Sequence, residues 1–289
     1  IQGTVNTVDS NVKTVTYKSA AGVVSTIPYS RLVLSPGISY LPFTLTGSAA
    51  NQGKVVSAWQ AGSETQSLRD QLVAMPKDGK FILAIPAKPY RCPPGPYERA
   101  SLVADWIKLN KRSIGSTSPQ VIVLDANPGI QAEIKNFTYA FNTIHAGVIQ
   151  YVPNATLQSV NADTGDVVTT AGTFRGNVIN VIPNHTAGKI ALAIPGLATS
   201  STVAGGLFCP VNVLSYESKN IPNIHVIGDA SATTQPKAGH IANQEAKVCA
   251  DAIVRLLSTP AMALDPSPVT NSACYSPITQ TTASWLSVV

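Results

Sequence analysis

Residues 81–102 read FILAIPAKPYRCPPGPYERASL, which joins a short apolar run, a proline-rich loop and the beginning of an amphipathic segment. A bounded apolar run of this length is typical of a strand buried in a parallel sheet. Apolar residues recur at helical spacing over about residues 97–109, and a second apolar run, VIVLDA, occupies residues 121–126. The stretch therefore predicts a strand, a loop, a helix and a second strand, the arrangement that binds nucleotide phosphates in many α/β proteins.

The loop of this unit has unsuitable residues for a phosphate. A phosphate loop points backbone N–H groups at oxygen atoms and is therefore rich in glycine. Gly95 is the one glycine in this loop, and no GxGxxG occurs in the 289 residues. We therefore expect no NAD here, and we expect Asp125 to be a strand-end residue rather than a ribose ligand. The prolines, which lack an N–H group, are Pro86, Pro89, Pro93, Pro94 and Pro96.

What the loop provides instead is a rigidly mounted thiol. Cys92 stands between prolines just before the helix, whose N-terminal partial positive charge is expected to lower the pKa of the thiol. Arg91 adds a charge of the same sign. Glu98, in the first helical turn, is compatible with two roles, a proton relay or a favourable partner of the helix dipole, and both stay open.

The composition excludes several classes of protein. Hydrophobic residues make up 44% of the chain and charged residues 12%, as in a globular protein. The net charge of +5 comes from scattered lysines and arginines, so no nucleic-acid partner is expected. No apolar run approaches the ~18 residues of a membrane span. Cysteines and histidines form no cluster at metal-ligand spacing, so no metal site is expected.

The four cysteines differ in their sequence context. Cys249 lies in the apolar stripe of a helix and Cys209 in the run GLFCPVN, so both are expected to be buried and structural. Cys92 and Cys274 stand in loops rich in proline or polar residues, where a thiol is more often exposed and reactive.

The chain contains one arrangement twice. Residues 4–18 and 156–170 alternate apolar and polar side chains around a turn, which predicts two hairpins, and an apolar strand follows each. The second copy is preceded by the strand–loop–helix–strand unit, and the first is not. We therefore expect the chain to be an internal piece of a longer protein, with a strand–helix–strand segment of roughly a hundred residues ahead of Ile1.

A second ligand position is expected near the end of the chain. A strand over about residues 224–227 ends in Gly228-Asp229, and a long helix is predicted from about Pro236. An acidic residue at a strand end and a helix N-terminus at the same edge suit the polar groups of a ligand. His240 is the one histidine that we place near this ligand, although a surface role is the simpler explanation for it.

Several motifs resemble segments of a known family. They are VLSPGI, AWQAGSETQSLRDQL, YRCPPGPYERASLVA, VINVIP, HVIGDA followed by PKAGHIANQEAKV, and NSACYSPIT. Over nearly the whole chain they are similar to the flavoprotein subunit of flavocytochrome c sulfide dehydrogenase, a family of the disulfide reductase superfamily. CPPGPYERAS is specific to this resemblance, whereas HVIGDA indicates only an FAD enzyme of the superfamily.

The resemblance implies an α/β fold of two Rossmann-like domains of the FAD/NAD-linked reductase type, the first lacking its N-terminal βαβ, plus the start of a C-terminal domain. The FAD-binding domain would comprise residues 1–50 and 205–268. The NAD-type domain, without a nucleotide motif, would comprise residues 51–204, and the C-terminal flavocytochrome domain would begin at residues 269–289.

The resemblance also implies cofactor contacts. FAD would bind in the first domain, with Pro36 and Gly37 near the nucleotide. Asp229 would bond the ribityl chain beside Gly228. The flavin ring would lie beside the long helix at Pro236, Lys237 and Ala238.

The implied chemistry is sulfide oxidation. Cys92 and Cys274 would form a redox-active disulfide that sulfide attacks to give a persulfide. Glu98 is the third candidate catalytic residue, through the proton-relay role that its position leaves open. Electrons would pass through the flavin to a haem-bearing cytochrome c subunit. A persistent disulfide suits an oxidising compartment, and the family is periplasmic. Two alternatives stay open: a sulfide:quinone oxidoreductase, or a truncated homologue that binds a cytochrome without holding flavin.

Overall fold

The computed structural model describes residues 1–288, which form an α/β protein of nineteen strands and six α-helices. The strands are β1 Gly3–Asp9, β2 Thr14–Ser19, β3 Val24–Pro28, β4 Leu32–Leu34, β5 Ile38–Tyr40, β6 Thr44–Thr46, β7 Phe81–Ile85, β8 Val121–Asp125, β9 Ile149–Val152, β10 Leu157–Asn161, β11 Asp166–Thr169, β12 Gly172–Arg175, β13 Val178–Val181, β14 His185–Ala187, β15 Ser200–Ser201, β16 Leu207–Phe208, β17 Ile224–Val226, β18 Ser272–Pro277 and β19 Ala283–Val288. The helices are α1 Ala49–Gln52, α2 Ser63–Ala74, α3 Gly95–Asn110, α4 Ile134–Tyr139, α5 Lys189–Ala193 and α6 Gly239–Leu257, with a π-helical turn at Ala140–Ile144 and a 3₁₀ turn at Gly228–Ala230.

The chain divides into two compact units. The first unit comprises residues 1–40, 185–272 and 287–288, and the second unit comprises residues 41–184 and 273–286.

A parallel sheet forms the core of the second unit. Its strand order is β13-β7-β8-β9, and every residue of β7, β8 and β13 is buried, as their largely apolar sequences predict. Helix α3 returns from β7 to β8 and buries Tyr97, Ala104 and Ile107 completely. The strand–loop–helix–strand arrangement predicted from residues 81–126 is therefore confirmed, and with it the α/β class.

Each unit contains an antiparallel meander followed by a parallel strand. In the second unit β10, β11 and β12 precede β13; in the first unit β1, β2 and β3 precede β4, which pairs in parallel with β17. The two hairpins predicted from residues 4–18 and 156–170 are confirmed, and each is extended by a third strand that the sequence did not predict. Strands β3 and β12 are mostly exposed, so they lack the apolar alternation that marks a half-buried strand.

The units divide at residues 40/41 and 184/185, whereas the predicted domain boundaries lay at residues 50/51 and 204/205. Strand pairing explains both differences. Strand β6 pairs in parallel with β10 and so belongs to the second unit, and β14 pairs with β5 and so belongs to the first. Such pairings join segments more than a hundred residues apart, and no local pattern records them.

Two predicted local features need correction. The long helix α6 begins at Gly239 rather than Pro236, because Ala238 is still extended, with φ −142° and ψ 148°. Cys274 lies in strand β18, which pairs with β19, rather than in a loop. The polar sequence around Cys274 concealed this strand, since much of the hairpin is exposed.

Candidate active site

Cys92 occupies the loop between β7 and α3. Its carbonyl oxygen accepts the N–H of Gly95 at 2.9 Å, which links the thiol-bearing residue to the start of the helix. Its backbone is left-handed, with φ +58°, a conformation that costs a non-glycine residue roughly 1–2 kcal/mol. The residue is exposed, as predicted. Strain of this kind persists only where the surroundings enforce it, and it concentrates at functional sites.

The indole ring of Trp59 forms one wall beside the Cys92 sulfur. A Cβ added to Gly95 would lie 2.7 Å from Cη2 of Trp59 and 2.9 Å from Sγ of Cys92, so only glycine allows this close approach. Trp59 Nε1 donates to the carbonyl of Arg91 at 3.1 Å, and the guanidinium of Arg91 donates to the carbonyl of Trp59. The guanidinium carbon of Arg99 lies 4.8 Å from the centre of the indole ring. These contacts hold the wall in place.

A cleft of about 380 Å³ opens beside this sulfur. Helices α2 and α3 supply most of its lining, which is largely apolar. Glu98 and two arginines supply its charged groups. The lining residues include Trp59, Leu68, Arg69, Leu72, Cys92, Glu98, Arg99, Leu102 and Val103.

The pKa of Cys92 is raised, whereas the sequence predicted that it would be lowered. Loss of hydration among the surrounding protein atoms is the largest cause, and the nearby Glu98 carboxylate raises the pKa further. The N–H of Gly95 and the charge of Arg91 lower it, as expected, but they do not prevail. The prediction was wrong because a helix N-terminus competes with desolvation, which depends on neighbours distant in sequence.

Glu98 lies in the first turn of α3 and is half-buried. Burial raises its pKa, the Glu133 carboxylate raises it further, and Arg99 lowers it. A carboxyl group with a raised pKa exchanges protons closer to neutral pH, as proton-transfer residues do. The raised pKa is compatible with the proton relay, and both roles that the sequence left open stay predictions.

Strand β18 places Cys274 in the same unit as Cys92. Ser276 and Ser284 of the β18–β19 hairpin donate hydrogen bonds to the carboxylate of Glu133, the first at 2.7 Å. Nε2 of the buried His145 lies 2.9 Å from the carbonyl of Ile278, just beyond β18. These contacts fix the hairpin to the body of the unit.

Both cysteines are free thiols in the structure, and Cys274 is half-buried. The charge of a Cys274 thiolate raises the pKa of Cys92, so the two sulfurs lie within electrostatic range of each other. Cys209 and Cys249 are 0% and 1% exposed, which confirms that they are buried. Their raised pKa values, about 12 and about 11, arise chiefly from burial and keep both thiols protonated.

The parallel sheet of the second unit has a cleft of about 430 Å³ at the carboxyl ends of β7, β8 and β13. Nucleotides bind at this edge in related α/β folds. Pro42, Pro86 and Pro183 belong to its lining and donate no N–H. The carboxylate of Asp125 is fully buried and bonded inward. Its interpretation as a strand-end residue without a ribose contact stays a prediction.

In the first unit the predicted cofactor residues meet at one edge. Strands β4 and β17 run parallel, so Pro36 and Gly37 after β4 lie at the same edge as Gly228 and Asp229 after β17. Gly37 has φ +65°, and a Cβ on it would meet no atom within 4 Å, which leaves space for a ligand. Asp229 is partly exposed and offers carboxylate oxygens. These residues fit the hydroxyl-bearing chain of a flavin.

The turn that carries Asp229 is braced by two buried charged side chains. Nζ of Lys237 donates to the carbonyls of Asp229 and Ser231 at 2.7 and 2.8 Å, and lies 4.1 Å from the centre of the Phe208 ring. Burial lowers the pKa of Lys237 to about 8. Glu245, from α6, accepts the N–H of Gly228, and burial raises its pKa to about 7. The ammonium of Lys237 therefore supports the turn from within, and the flavin contact of this residue stays a prediction.

Pro236 and His240 are exposed and Ala238 is half-buried on the approach to α6. Among residues 1–288 no three or more His, Cys, Asp or Glu side chains are arranged to hold a metal ion. None of the helices in that part of the chain combines the length and hydropathy that a membrane crossing requires.

Sequence reasoning missed two parts of this site. Trp59 stands in a motif that carries the family resemblance, but nothing in that motif indicates that its ring touches Cys92. Glu133 gives no sequence signal. It has a left-handed backbone, with φ +49°, and reaches partners at residues 276 and 284 that only the tertiary structure brings to it.

Solved structures show that the whole fold recurs in other proteins. The chain is similar to a chain of the mitochondrial ATP synthase of Tetrahymena thermophila (15% identity, TM-score 0.68, covering 99% of this chain and 69% of that one). It is also similar to a NAD-dependent persulfide reductase from A. fulgidus (15% identity, TM-score 0.60, covering 95% of this chain and 47% of that one). A third similar structure is an FAD-dependent pyridine nucleotide-disulphide oxidoreductase from Desulfovibrio vulgaris (12% identity, TM-score 0.50, covering 93% of this chain and 64% of that one). At these identities the likeness shows the fold alone, and the chain spans between 47% and 69% of their lengths.

The family is indicated by a separate match. Residues 65–183, which include β7, the Cys92 loop, α3 and β8, match the model of the central region of the sulfide dehydrogenase (flavocytochrome c) flavoprotein chain. This is the family that the motifs resembled, and the match supports a flavin-dependent redox role. The resemblance to the flavoprotein subunit of flavocytochrome c sulfide dehydrogenase is therefore confirmed over residues 65–183.

Proposed function

We propose that this protein is the FAD-binding part of an enzyme that oxidises sulfide through a Cys92–Cys274 disulfide and passes the electrons to a cytochrome c subunit. The observation that carries the proposal is that strand β18 brings Cys274, which is far from Cys92 in sequence, into the same compact unit as Cys92. A carboxyl group with a raised pKa, Glu98, lines the same cleft as Cys92.

The first chemical step would take place in the cleft beside Cys92. The sulfur of hydrosulfide forms a bond to Sγ of Cys92, the bond to Cys274 breaks, and Cys274 leaves with the electron pair as a thiolate. Glu98 accepts the proton that the attacking sulfur carried. The product is a persulfide on Cys92. Attack at the exposed Cys92 rather than the half-buried Cys274 follows from access.

Release of the product would need a second nucleophile. Another hydrosulfide attacks the outer persulfide sulfur, which leaves as a disulfanide ion, and the electron pair and a proton return to Cys92. Cys92 is then a thiol and Cys274 a thiolate, so both cysteines are reduced. A bound flavin would supply the two-electron acceptor that restores the disulfide, held in the first unit by Gly37, Gly228, Asp229 and the backbone at residues 236–238.

The compartment and partner are part of the proposal. A disulfide that must persist between turnovers suits the periplasm, and the family name includes a cytochrome. Comparing cytochrome c with a soluble quinone as acceptor on the full-length protein separates this function from that of a quinone reductase. A purified protein without flavin absorption would favour the non-catalytic alternative.

Replacement of Cys92 by serine tests the mechanism most directly. Cys92→Ser is expected to abolish sulfide-dependent bleaching of the flavin, because serine forms no disulfide. Cys249→Ala, which removes a buried thiol outside the site, is the matched control and is expected to bleach at the normal rate. Sulfide turnover that survives in Cys92→Ser would contradict the proposed function.

A further inference from the structure

Asp125, at the end of β8, is fully buried and both of its carboxylate oxygens are occupied. Oδ1 accepts the backbone N–H and the side-chain Nδ2–H of Asn127 at 2.9 and 2.7 Å. Oδ2 accepts the hydroxyls of Tyr97 at 2.8 Å and Tyr151 at 2.7 Å. No ion pair among residues 1–288 includes Asp125, so uncharged donors alone hold this carboxylate.

The network around Asp125 reaches the Cys92 loop from one side through Asn127. Oδ1 of Asn127 accepts the N–H of Lys88 at 3.0 Å, and its Nδ2 donates to the carbonyl of Pro86 at 2.9 Å. These two bonds fix the part of the loop that precedes Cys92.

Tyr97 carries the network to the other side of the loop. The hydroxyl of the buried Tyr90 lies 3.3 Å from the hydroxyl of Tyr97 and 3.4 Å from the carbonyl of Pro93, the residue after Cys92. Tyr97 donates its own proton to Asp125, so the Tyr90 hydroxyl is the donor here and shares its one proton between these two oxygens. The backbone on both sides of Cys92 is therefore tied to one carboxylate.

The same network also approaches the second cysteine. The hydroxyl of Tyr97 accepts the N–H of Gln131 at 3.1 Å, two residues before Glu133. Glu133 accepts the hydroxyl of Ser276, which lies in the strand of Cys274. Hydrogen bonds thus link the Cys92 loop through the Tyr97 hydroxyl to the segment that holds the Cys274 hairpin.

A loop of this composition needs such support. Prolines supply no N–H groups, so the loop makes few backbone hydrogen bonds of its own. Cys92 is also held in a left-handed conformation that an unsupported chain would leave. The buried network supplies the bonds that hold it.

We propose that Asp125 and Tyr97 are positioning residues of the dithiol site, which hold the Cys92 loop in the geometry that places its sulfur for bonding to Cys274. This inference rests on the proposed function, because it assumes that the two thiols form a disulfide. Neither residue touches the reacting sulfurs. They act by raising the effective concentration of one thiol at the other, which stabilises the disulfide.

Tyr97 and Tyr151 provide a matched comparison. Both hydroxyls donate to the same oxygen of Asp125, but Tyr97 also continues to Tyr90 and the loop. Tyr97→Phe removes the links to the loop and to Gln131, whereas Tyr151→Phe removes a hydrogen bond of similar length to Asp125 and leaves both links intact. Tyr90→Phe cuts only the branch to the loop and keeps Tyr97 on Asp125.

The test is the thiol–disulfide equilibrium of Cys92 and Cys274 in the purified protein, poised in glutathione buffers and read by mass spectrometry of trapped thiols. Tyr97→Phe and Tyr90→Phe are expected to shift the equilibrium about fivefold towards the dithiol, equivalent to about 20 mV. Tyr151→Phe is expected to stay within about twofold of the wild type. Equal shifts in Tyr97→Phe and Tyr151→Phe, or none in either, would overturn the positioning role.

A second measurement separates this role from the proposed function. In a Cys274→Ser background, alkylation of Cys92 near neutral pH needs no disulfide. Tyr97→Phe is expected to change its rate about fivefold and Tyr151→Phe to leave it unchanged, because only the first loosens the loop. A wild type that forms no disulfide, together with this difference in alkylation, would overturn the proposed function and retain the network as the device that holds the loop. A wild type that forms no disulfide, together with equal alkylation rates in Tyr97→Phe and Tyr151→Phe, would overturn both the proposed function and the positioning role.

Discussion

Two turns at strand ends are braced by different chemistry. In the second unit the Cys92 loop is tied through Tyr97 to Asp125, whose hydrogen-bond donors are all uncharged. In the first unit the turn that carries Asp229 is held by the buried ammonium of Lys237 and the buried carboxyl of Glu245. The charged brace titrates near neutral pH, with pKa values of about 8 and about 7. The stability of the two units is therefore expected to respond differently to pH, although each unit holds a turn at a strand end.

The signs for the charged brace follow from its pKa shifts. The pKa of Glu245 is raised from 4.5 to about 7, so its contribution to stability is present below pH 4.5 and is lost as the pH rises through about 7. The pKa of Lys237 is lowered from 10.5 to about 8, so its contribution is present above pH 10.5 and is lost as the pH falls through about 8. Between about pH 7 and pH 8, therefore, the favourable contributions of both groups to the stability of the first unit are largely lost.

The largest expected effect is the loss of the Lys237 ammonium. Lys237→Met keeps an apolar stem against Phe208 but leaves the carbonyls of Asp229 and Ser231 without their donor. Each unsatisfied buried group costs about 1–3 kcal/mol, so the free energy of unfolding of the first unit is expected to fall by about 4 kcal/mol at pH 7. Hydrogen exchange of the β17 and α6 amides reports on this unit, since all three tryptophans of the chain lie in the second.

The matched control is Lys219→Met, which replaces an exposed lysine of the same unit. It is expected to leave amide exchange in β17 and α6 unchanged. Equal acceleration in the two variants would mean that the Lys237 contacts do not support the turn.

A pH-dependent effect is expected for Glu245→Gln. In the wild type the free energy of unfolding of the first unit is expected to decline between pH 4.5 and 7, by at most about 3 kcal/mol for this shift. Glutamine does not titrate, and its amide oxygen still accepts the N–H of Gly228, so the decline should disappear. Amide exchange of β17 measured across this pH range shows the difference.

Asp251→Asn, on the exposed side of the same helix, is the control, because the side chain of Asp251 is 50% exposed. The slope between pH 4.5 and 7 should persist in that variant. A slope that also persists in Glu245→Gln would show that another group titrates there.

The smallest effect is expected for the hydrogen bonds that uncharged donors make to Asp125. Tyr151→Phe removes one of the four hydrogen bonds to Asp125 and is expected to lower the free energy of unfolding of the second unit by about 1 kcal/mol. The Tyr151 hydroxyl lowers the pKa of Asp125 against the raising effect of burial, so the loss should be no smaller at pH 8 than at pH 6. Denaturation followed by tryptophan fluorescence measures it, and a loss that is larger at pH 6 than at pH 8 would contradict this assignment of the hydrogen bond.

The site could be predicted only in part from the sequence. Cys92 is recognisable because it stands before a helix among prolines, and Asp229 because it ends an apolar strand. The direction of the Cys92 pKa shift could not be predicted, since it depends on how neighbouring atoms exclude water from the sulfur and on the charge of the nearby Glu98 carboxylate. The hydrogen bond from Ser276 to Glu133 joins two residues that no sequence pattern connects.

The sequence by itself determined the local structure of this protein: the buried strand at residues 81–85, the loop, the following helix and the repeated meander-and-strand plan. Those features arise from interactions between near neighbours, so composition and spacing record them. Only the tertiary structure decided that Cys92 and Cys274 share one unit, and that Asp125 is bonded to Tyr97 and Tyr151. Such contacts depend on where distant segments meet, and the free energy of burying a thiol or a carboxylate depends on every group around it.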